Sequence, residues 1–462
     1  MIRFRHQQPT LWAGFLAEEV EDLWEPWMRH ADRVLADEAL IAVLYEAQGG
    51  RHARSRTFGR PQTPAEVVLR LLLLKHIRNW SFDELEREVR ANLVYRSFAR
   101  IGTEKVPDAK TLARLCRETS PAVIQQLHER IVELAREEKV VQGRKLRVDT
   151  TVVETNVHYP TDSSLLGDGA RVLTRTMKKM EARTGGLTGK VRDRMRSVRK
   201  CVVSIALASR LKGPKGEEAR KKQYRELLSV SRRIVTDAKR VVEQTKSRRR
   251  SDLKQMRQKL HVIATGMDQI IRQAKTRIFE GNTKLPDKIV SLFEPHTEII
   301  RKGKASKPTE FGKMVQIQEA ENQIIIHYEV FERKPADSDL LIPAVNEHVR
   351  KLGRLPRLVA ADAGFYTQNN EKSIQEIGVA FVSVPNRHTR SAERRQLEKK
   401  RWFKQGQRWR TGCEGRISVL KRRHGLSRCR YRGFSGMQRW VGLGVLADNV
   451  LQIGGCLAMQ AS

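Results

Sequence analysis

Cysteine is scarce in this chain. Five residues, Cys116, Cys201, Cys413, Cys429 and Cys456, are scattered over 462 positions. They are odd in number and form no Cys-x-x-Cys, which argues against a disulfide framework or a structural zinc site and for a reducing cytosol. Acidic residues are also in short supply. Against 89 Lys and Arg stand 53 Asp and Glu, a formal charge of +36. A charge of that size repels copies of itself and makes a polyanion the natural partner. Aromatic residues make up 6% of the chain, and no clear basic amphipathic helix presents the rings that a membrane-surface protein would use. Long apolar runs are missing too. Leu71 to Leu74 is too short to cross a bilayer, and Trp440 to Gln460 carries Asp448, Asn449 and several glycines, so it reads as a buried helix. The opening Met1-Ile-Arg-Phe-Arg-His leads into an acidic, Trp-bearing segment and not into a signal peptide. These exclusions leave a basic protein of two or three domains, with no membrane partner and with nucleic acid as its ligand.

Punctuation divides the chain. Residues 1–50 read as a helical segment with Trp12, Trp24 and Trp27, closed by Gly49-Gly50. Residues 51–139 read as a helical DNA-binding domain of helix-turn-helix type. Its starts are Thr63-Pro64, the capping box Ser81-Phe-Asp-Glu84, Asp108 and Ser120-Pro121. Within it Lys110, Arg114 and Arg117 share one face of a plausible recognition helix. A plain helical bundle fits the same capping pattern equally well. From Leu146 to Val153 the pattern turns to strand. Residues 161–308 are then long, polar and helical, broken at Gly185-Gly186, Gly213-Pro214 and Pro286. Residues 175–259 hold 28 Lys and Arg against 8 Asp and Glu, more than half of the chain's excess positive charge. Leu227, Val230, Ile234 and Val241 recur there at helical spacing, so the stretch is a folded arm suited to gripping phosphates, with Arg248, Arg249 and Arg250 as a cluster. Beyond it come a hairpin over 313–331, a helix near 338–352, a strand at 358–361, a helix at 370–377, a strand at 379–384, a basic linker at 386–409 and a final pair of helices. The sum is a mixed α/β domain, residues 140–160 plus 309–462, carrying a basic helical insertion after its first strand.

Three acids stand out within this order. Asp149 interrupts the first apolar strand, Asp362 ends a later one before Ala363-Gly364, and Glu414 shares a helical face with Arg410, Ile417 and Lys421. Converging carboxylates resist joint ionisation unless a cation lies between them, and hard oxygen donors suit Mg²⁺, with Mn²⁺ as a substitute. Two such ions can drive phosphodiester cleavage and strand transfer, and Arg410 and Lys421 could hold DNA phosphates beside them. Taken singly each acid reads as an ordinary turn carboxylate, and Glu154, Asp168, Asp337 and Asp339 compete in similar contexts.

Motifs over most of the chain resemble bacterial insertion-sequence transposases of the DDE class, with features of the ISNCY-like group. They are Gly59-Arg-Pro-Gln-Thr-Pro64, Trp80-Ser-Phe-Asp-Glu-Leu85 and Val106-Pro-Asp-Ala-Lys-Thr-Leu112. Val148-Asp-Thr-Thr-Val-Val-Glu-Thr-Asn-Val-His158, Ala360-Ala-Asp-Ala-Gly-Phe-Tyr366 and Glu414-Gly-Arg-Ile-Ser-Val-Leu-Lys421 follow. Three residues separate Arg410 from Glu414 and six separate Glu414 from Lys421, as in the family's Tyr-Arg-Glu-Lys signature, but the tyrosine position holds Gln407. The resemblance implies a ribonuclease-H-like catalytic fold and Asp149, Asp362 and Glu414 as catalytic and metal-holding residues. It implies metal-dependent cutting at terminal inverted repeats of double-stranded DNA and joining to target DNA by a homodimer or higher assembly in the bacterial cytoplasm. The alternatives are a ribonuclease-H-like nuclease without strand transfer and a catalytically silent DNA-binding repressor.

Overall fold

Helix starts in the N-terminal region follow their caps. The computed structural model describes residues 2–5, 19–50, 54, 56–57, 62–187, 189–248, 250–301 and 309–461; Trp12 and the Gly59-Arg60-Pro61 motif lie outside them. Helix α1 (Pro26–Leu35) begins on a proline, whose missing N–H is an orphan there in any case, and Asp37 caps α2 (Glu38–Gly49) through the Leu40 N–H. Helix α3 (Ala65–Ile77) starts one residue later than Thr63-Pro64 suggests, with Pro64 itself at the cap. Ser81 and Glu84 form the full capping box of α4 (Phe82–Ala91). After α5 (Leu93–Phe98), Asp108 caps α6 (Ala109–Glu118) and Ser120 caps α7 (Pro121–Glu137).

Six strands make one mixed sheet. They are β1 (Lys145–Glu154), β2 (Glu298–Arg301), β3 (Thr309–Glu319), β4 (Ile325–Val330), β5 (Leu358–Ala360) and β6 (Phe381–Ser383), in the order β2-β3-β1-β5-β6 with β4 also on β3. The β3–β4 hairpin and the β1–β3 ladder are antiparallel, while β1–β5 and β5–β6 are parallel. β1 is therefore central, and its two neighbours arrive from opposite chain directions. Gly312 sits opposite Glu154, where any Cβ would overlap the Val153 carbonyl.

Two compact units result: Met1–Asn156 with Ile300–Ser462, and Val157–Ile299. The second has its own core. Helices α8 (Asp162–Thr184), α9 (Met195–Ala208), α10 (Pro214–Gln244) and α11 (Ser251–Phe279) bury Leu166, Leu173, Leu227, Ile234, Leu260 and Ile270 among others. Gly185 ends α8 in the left-handed conformation, and Pro214 opens α10 after Gly213, so both breaks fall at helix termini. Several of its acids are held in ion pairs, such as Asp193 with Lys178 and Asp237 with Arg194, which leaves the basic surplus at the surface. The helical reading of residues 161–308 is too long. Helix ends at Phe279, before Gly281 and Pro286, and β-branched Ile299 and Ile300 fall in strand β2.

In the first unit the sheet and the helices share one core. Helices α12 (Leu341–Leu352) and α13 (Gln368–Glu376) flank β5; α14 (Ala392–Lys399), α15 (Arg401–Arg423) and α16 (Phe434–Ala461) complete it. The segment read as a basic linker, 386–409, is thus largely helix, because Lys, Arg, Glu and Gln are good helix formers and their charge hid the pattern. Every residue of α3 is buried, the mark of a helix enclosed on all sides. The apolar α16 packs on α1, α3, α7 and β4, and Asn449 both accepts from the Ile325 N–H and donates to the Ile325 carbonyl. Long and apolar enough to cross a membrane, α16 is instead mostly buried within this unit.

One ionic contact ties α15 to α16. Arg416 Nη1 donates to both Asp448 oxygens at 2.9 and 3.1 Å, and both side chains are buried. Losing one member leaves an uncompensated buried charge. Asp448→Leu alone should cost about 3–5 kcal/mol in denaturant unfolding, and adding Arg416→Met should recover most of it. Equal losses in the single and double variants would show that the pair contributes packing and not charge compensation.

Candidate active site

Strand register sets two of the acids side by side. On the parallel strands β1 and β5, Leu146 pairs with Val359 and Arg147 with Ala360. Asp149 and Asp362 each lie two residues beyond that last pair. Adjacent strands run about 4.8 Å apart and side chains repeat every second residue, so both acids emerge at the same end of neighbouring strands. Asp149 Oδ1 accepts from the Thr150 N–H at 2.7 Å. Asp362 caps a single 3₁₀ turn, Ala363–Phe365, accepting from the Gly364 N–H at 2.8 Å.

Helix α15 brings the third acid, and its seat on the sheet is specific. Beneath it the buried Arg147 pairs with its ladder partner Glu319, donates to the Trp409 carbonyl and lies 4.9 Å from the centre of the Trp409 ring. Gly412 leaves the space that this guanidinium fills, since a Cβ there would overlap Arg147 Nη1. Six residues earlier Gly406 comes so close to β6 that a Cβ would sit 2.6 Å from Ser383 Oγ. Gln407, at the signature's tyrosine position, donates to the Ser383 carbonyl at 2.5 Å and the Ala361 carbonyl at 3.3 Å. It therefore ties the helix bearing Glu414 to the strand end bearing Asp362.

Arg410 occupies the centre of the charge pattern. Its Nη2 donates to Glu414 Oε1 at 2.8 Å and its Nη1 lies 3.9 Å from Asp149 Oδ2. Its Nε is buried without an acceptor among the described residues. Burial raises the Asp149 carboxyl to about 6, and the negative charges of Asp362 and Glu414 add to the rise; the Thr150 N–H and Arg410 oppose it. Burial likewise pushes the adjacent Cys413 thiol well up, which fits a filler and not a nucleophile. Among the described residues no three Asp, Glu, His or Cys side chains stand in a metal-holding arrangement; Glu414, 58% exposed, is turned to Arg410. The donor types nevertheless suit a hard divalent cation: three carboxylates, one of them raised by burial beside the other two.

A fourth carboxylate belongs to this neighbourhood. Thr150 Oγ1 donates to Asp337 Oδ1 at 3.1 Å. A Cβ on Gly364 would lie 3.1 Å from Asp362 Oδ1 and 3.3 Å from Asp337 Oδ2, so both acids crowd one glycine. Asp337 was visible in the sequence only as a competing acid, and its adjacency depends on the turn Asp337–Leu340 after β4.

Other candidates lie elsewhere. Lys421 is partly exposed, two turns beyond Glu414 on α15. Lys110, Arg114 and Arg117 are exposed on α6; Arg114 faces Glu118 at 3.5 Å and Arg117 donates to the Ala113 carbonyl. In the other unit Arg248 donates to the Thr184 carbonyl and Arg250 pairs with Asp252, both remaining exposed, while Arg249 lies outside the described residues. Of the competing acids, Glu154 pairs with Arg428 and Asp168 with Arg171.

Comparison with known families covers both ends of the chain. A family described as Transposase domain (DUF772) matches residues 28–118, α1 through α6. The Transposase DDE domain family matches residues 288–450, which takes in Asp362, Glu414 and most of the sheet; Asp149 falls in neither match. No curated protein and no solved structure matches the chain. The two families do not assign it to the ISNCY-like group. A transposase domain over the N-terminal helices and a DDE domain over the sheet, on one chain in that order, place this protein in the DDE transposases of insertion sequences.

Proposed function

We propose that the protein binds the terminal inverted repeats of its element, cuts the DNA there and joins the freed ends to target DNA, with Asp149, Asp362 and Glu414 holding divalent metal. The observation that carries this reading is the matched position of Asp149 and Asp362 beyond one register pair, with α15 seated so that Glu414 adds to the same local charge. Bound Mg²⁺, or Mn²⁺ in its place, would supply Lewis-acid stabilisation of charge on the reacting phosphate oxygens. The protein's own part is positioning. Gln407 and the Arg147–Glu319 pair fix α15 relative to the strand ends. Arg410 lies between Asp149 and Glu414, and its guanidinium suits a phosphate of DNA brought beside them. The helices matched as a transposase domain present Lys110, Arg114 and Arg117 for end recognition. The Val157–Ile299 unit offers a basic surface for phosphates of any sequence.

Incubation of the purified protein with its flanking DNA and Mg²⁺ tests the chemistry. Asp149→Asn, Asp362→Asn and Glu414→Gln should each abolish cutting and leave end binding within a few-fold, as measured by gel assay and anisotropy. Cutting at the wild-type rate by any one variant removes that residue from the mechanism. Nicked products that are never joined to target DNA would favour a nuclease without strand transfer.

Metal binding should compete with a proton. The Asp149 carboxyl, raised to about 6 in the fold, gives stability that is present below the ordinary carboxylate range and lost as the pH rises through 6. The metal-free protein gains that stability on acidification, and bound metal opposes it. Mn²⁺ affinity by calorimetry should therefore fall by up to roughly tenfold per unit below pH 6, and Asp149→Asn should weaken binding and flatten that dependence. A wild-type affinity unchanged between pH 7 and 5 would place the metal elsewhere.

The basic unit has its own readout. Charge reversal at Arg248 and Arg250 should weaken binding to unrelated duplexes alike and reduce the log–log salt slope by about 0.9 for each phosphate that is no longer neutralised. A changed sequence preference at constant slope would make this unit a reader of sequence.

A further inference from the structure

Lys75 is a buried cation. It lies on α3, 3% exposed, and among the described residues no carboxylate pairs with it. Three aromatic rings surround its ammonium instead, with centres at 4.8 Å for Trp440, 5.1 Å for Phe82 and 5.4 Å for Tyr431. Burial lowers its pKa to about 8, so at neutral pH the charge is largely kept. Aromatic faces attract a cation but cannot replace an anion, and a charge kept in such a place is poised for one.

The same three rings and Lys75 line an open cavity of about 380 Å³, with Lys110 and Arg430 also in its wall. Both of these basic side chains are exposed. The start of α4 enters the wall as well. Its capping box satisfies the Ser81 and Glu84 N–H groups, which leaves those of Phe82 and Asp83 without an intrahelical acceptor, at the positive end of a ten-residue helix. The start of α6 offers a side chain and not its amides, because Glu86 accepts from the Ala109 N–H and Asp108 from the Thr111 N–H. Asp83 is the one carboxylate in the lining, against three cations. A larger cavity of about 610 Å³ beside β4 has the opposite character, with Glu129, Glu329 and Glu347 in its wall.

We propose that the Lys75 cavity is a phosphate site, with the buried ammonium as its floor, Lys110 and Arg430 as its rim and the first turn of α4 as its amide donor. The shared chemistry is a phosphate group, and two sources can deliver it: the backbone of bound DNA, or free phosphate. The DNA source rests on the function proposed above; the phosphate site does not. The cavity lies among the helices matched as a transposase domain and joins them to the C-terminal segment at Arg430, Tyr431 and Trp440. A backbone phosphate seated there would fix the register of a duplex on those helices without reading its bases.

The test uses the full-length protein, a short duplex of arbitrary sequence and inorganic phosphate. Lys75→Met keeps the length and apolar stem of the side chain and removes its charge. Arg430→Ser changes only the exposed rim, so it carries the same test if the first variant does not fold, as judged by its thermal melt. Duplex affinity should fall about ten- to a hundredfold for Lys75→Met, and the log–log salt slope should drop by about 0.9. Trp440 and Trp80 border the cavity, so inorganic phosphate should change the wild-type tryptophan fluorescence and leave that of Lys75→Met unchanged. Loss in both assays assigns the site to DNA. A phosphate response with unaltered duplex binding supports the site and assigns it to free phosphate. Duplex affinity, salt slope and phosphate response unchanged in the folded variants overturn the proposal. Failure of the wild type to bind any duplex removes the DNA reading alone, and the phosphate titration then decides the site.

Discussion

The seat of α15 on the sheet rests on a buried guanidinium. Arg147 projects from the central strand into the layer between sheet and helix, where an unpaired charge would be prohibitive. Glu319 neutralises it from the neighbouring strand, the Trp409 carbonyl takes a hydrogen bond, and the Trp409 ring covers its face. Each partner constrains something else. Glu319 fixes the β1–β3 register, Trp409 fixes the rotation of α15, and Gly412 is needed for clearance. The Arg410 and Glu414 positions follow from that rotation, since they lie one turn apart on the same helix. An apolar core at this point would hold the helix as firmly but would define its rotation less sharply.

Electrostatics at the strand ends are arranged against the folded chain's own interest. Burying Asp149 beside two other acids makes its ionisation harder, and Arg410 compensates only in part, at 3.9 Å. Such a conflict at the end of two parallel strands is what the proposed metal role would relieve. The contrast with Arg416 and Asp448 is instructive. There the two charges meet at 2.9 Å in full burial, with the carboxylate accepting at both oxygens.

Much of the fold could be read from local chemistry. The capping residues Asp108 and Ser120 and the box at Ser81 announce their helices, because an N-cap acts within a few residues of itself. The hairpin β3–β4 and the buried α16 were legible from alternation and from continuous apolarity. Strand β2 was missed because four residues carry too little pattern, and the start of α15 was missed because its charge resembled a linker. In the candidate site, the sequence singled out Asp149 and Asp362 as strand-end acids. Their common register depends on a pairing between residues more than two hundred positions apart, which no local pattern encodes. The Arg147–Glu319 pair and the approach of Asp337 to Gly364 are hidden for the same reason. Gln407 looked like a vacancy in a signature; its two carbonyl partners become visible only once β5 and β6 lie under the helix.

The chain leaves the sheet after β1 and re-enters it on β2, which lies beside β3, itself the antiparallel neighbour of β1 with Glu154 opposite Gly312. A detour that starts and finishes within one sheet has a loop-closure cost that grows only with the logarithm of its length. It also leaves the register of the central strand untouched. Such a detour behaves as a cassette: a change in its length need not move the acids at the strand ends. On the function proposed above, the grip on DNA phosphates is then carried by a part of the chain separate from the strand-end acids.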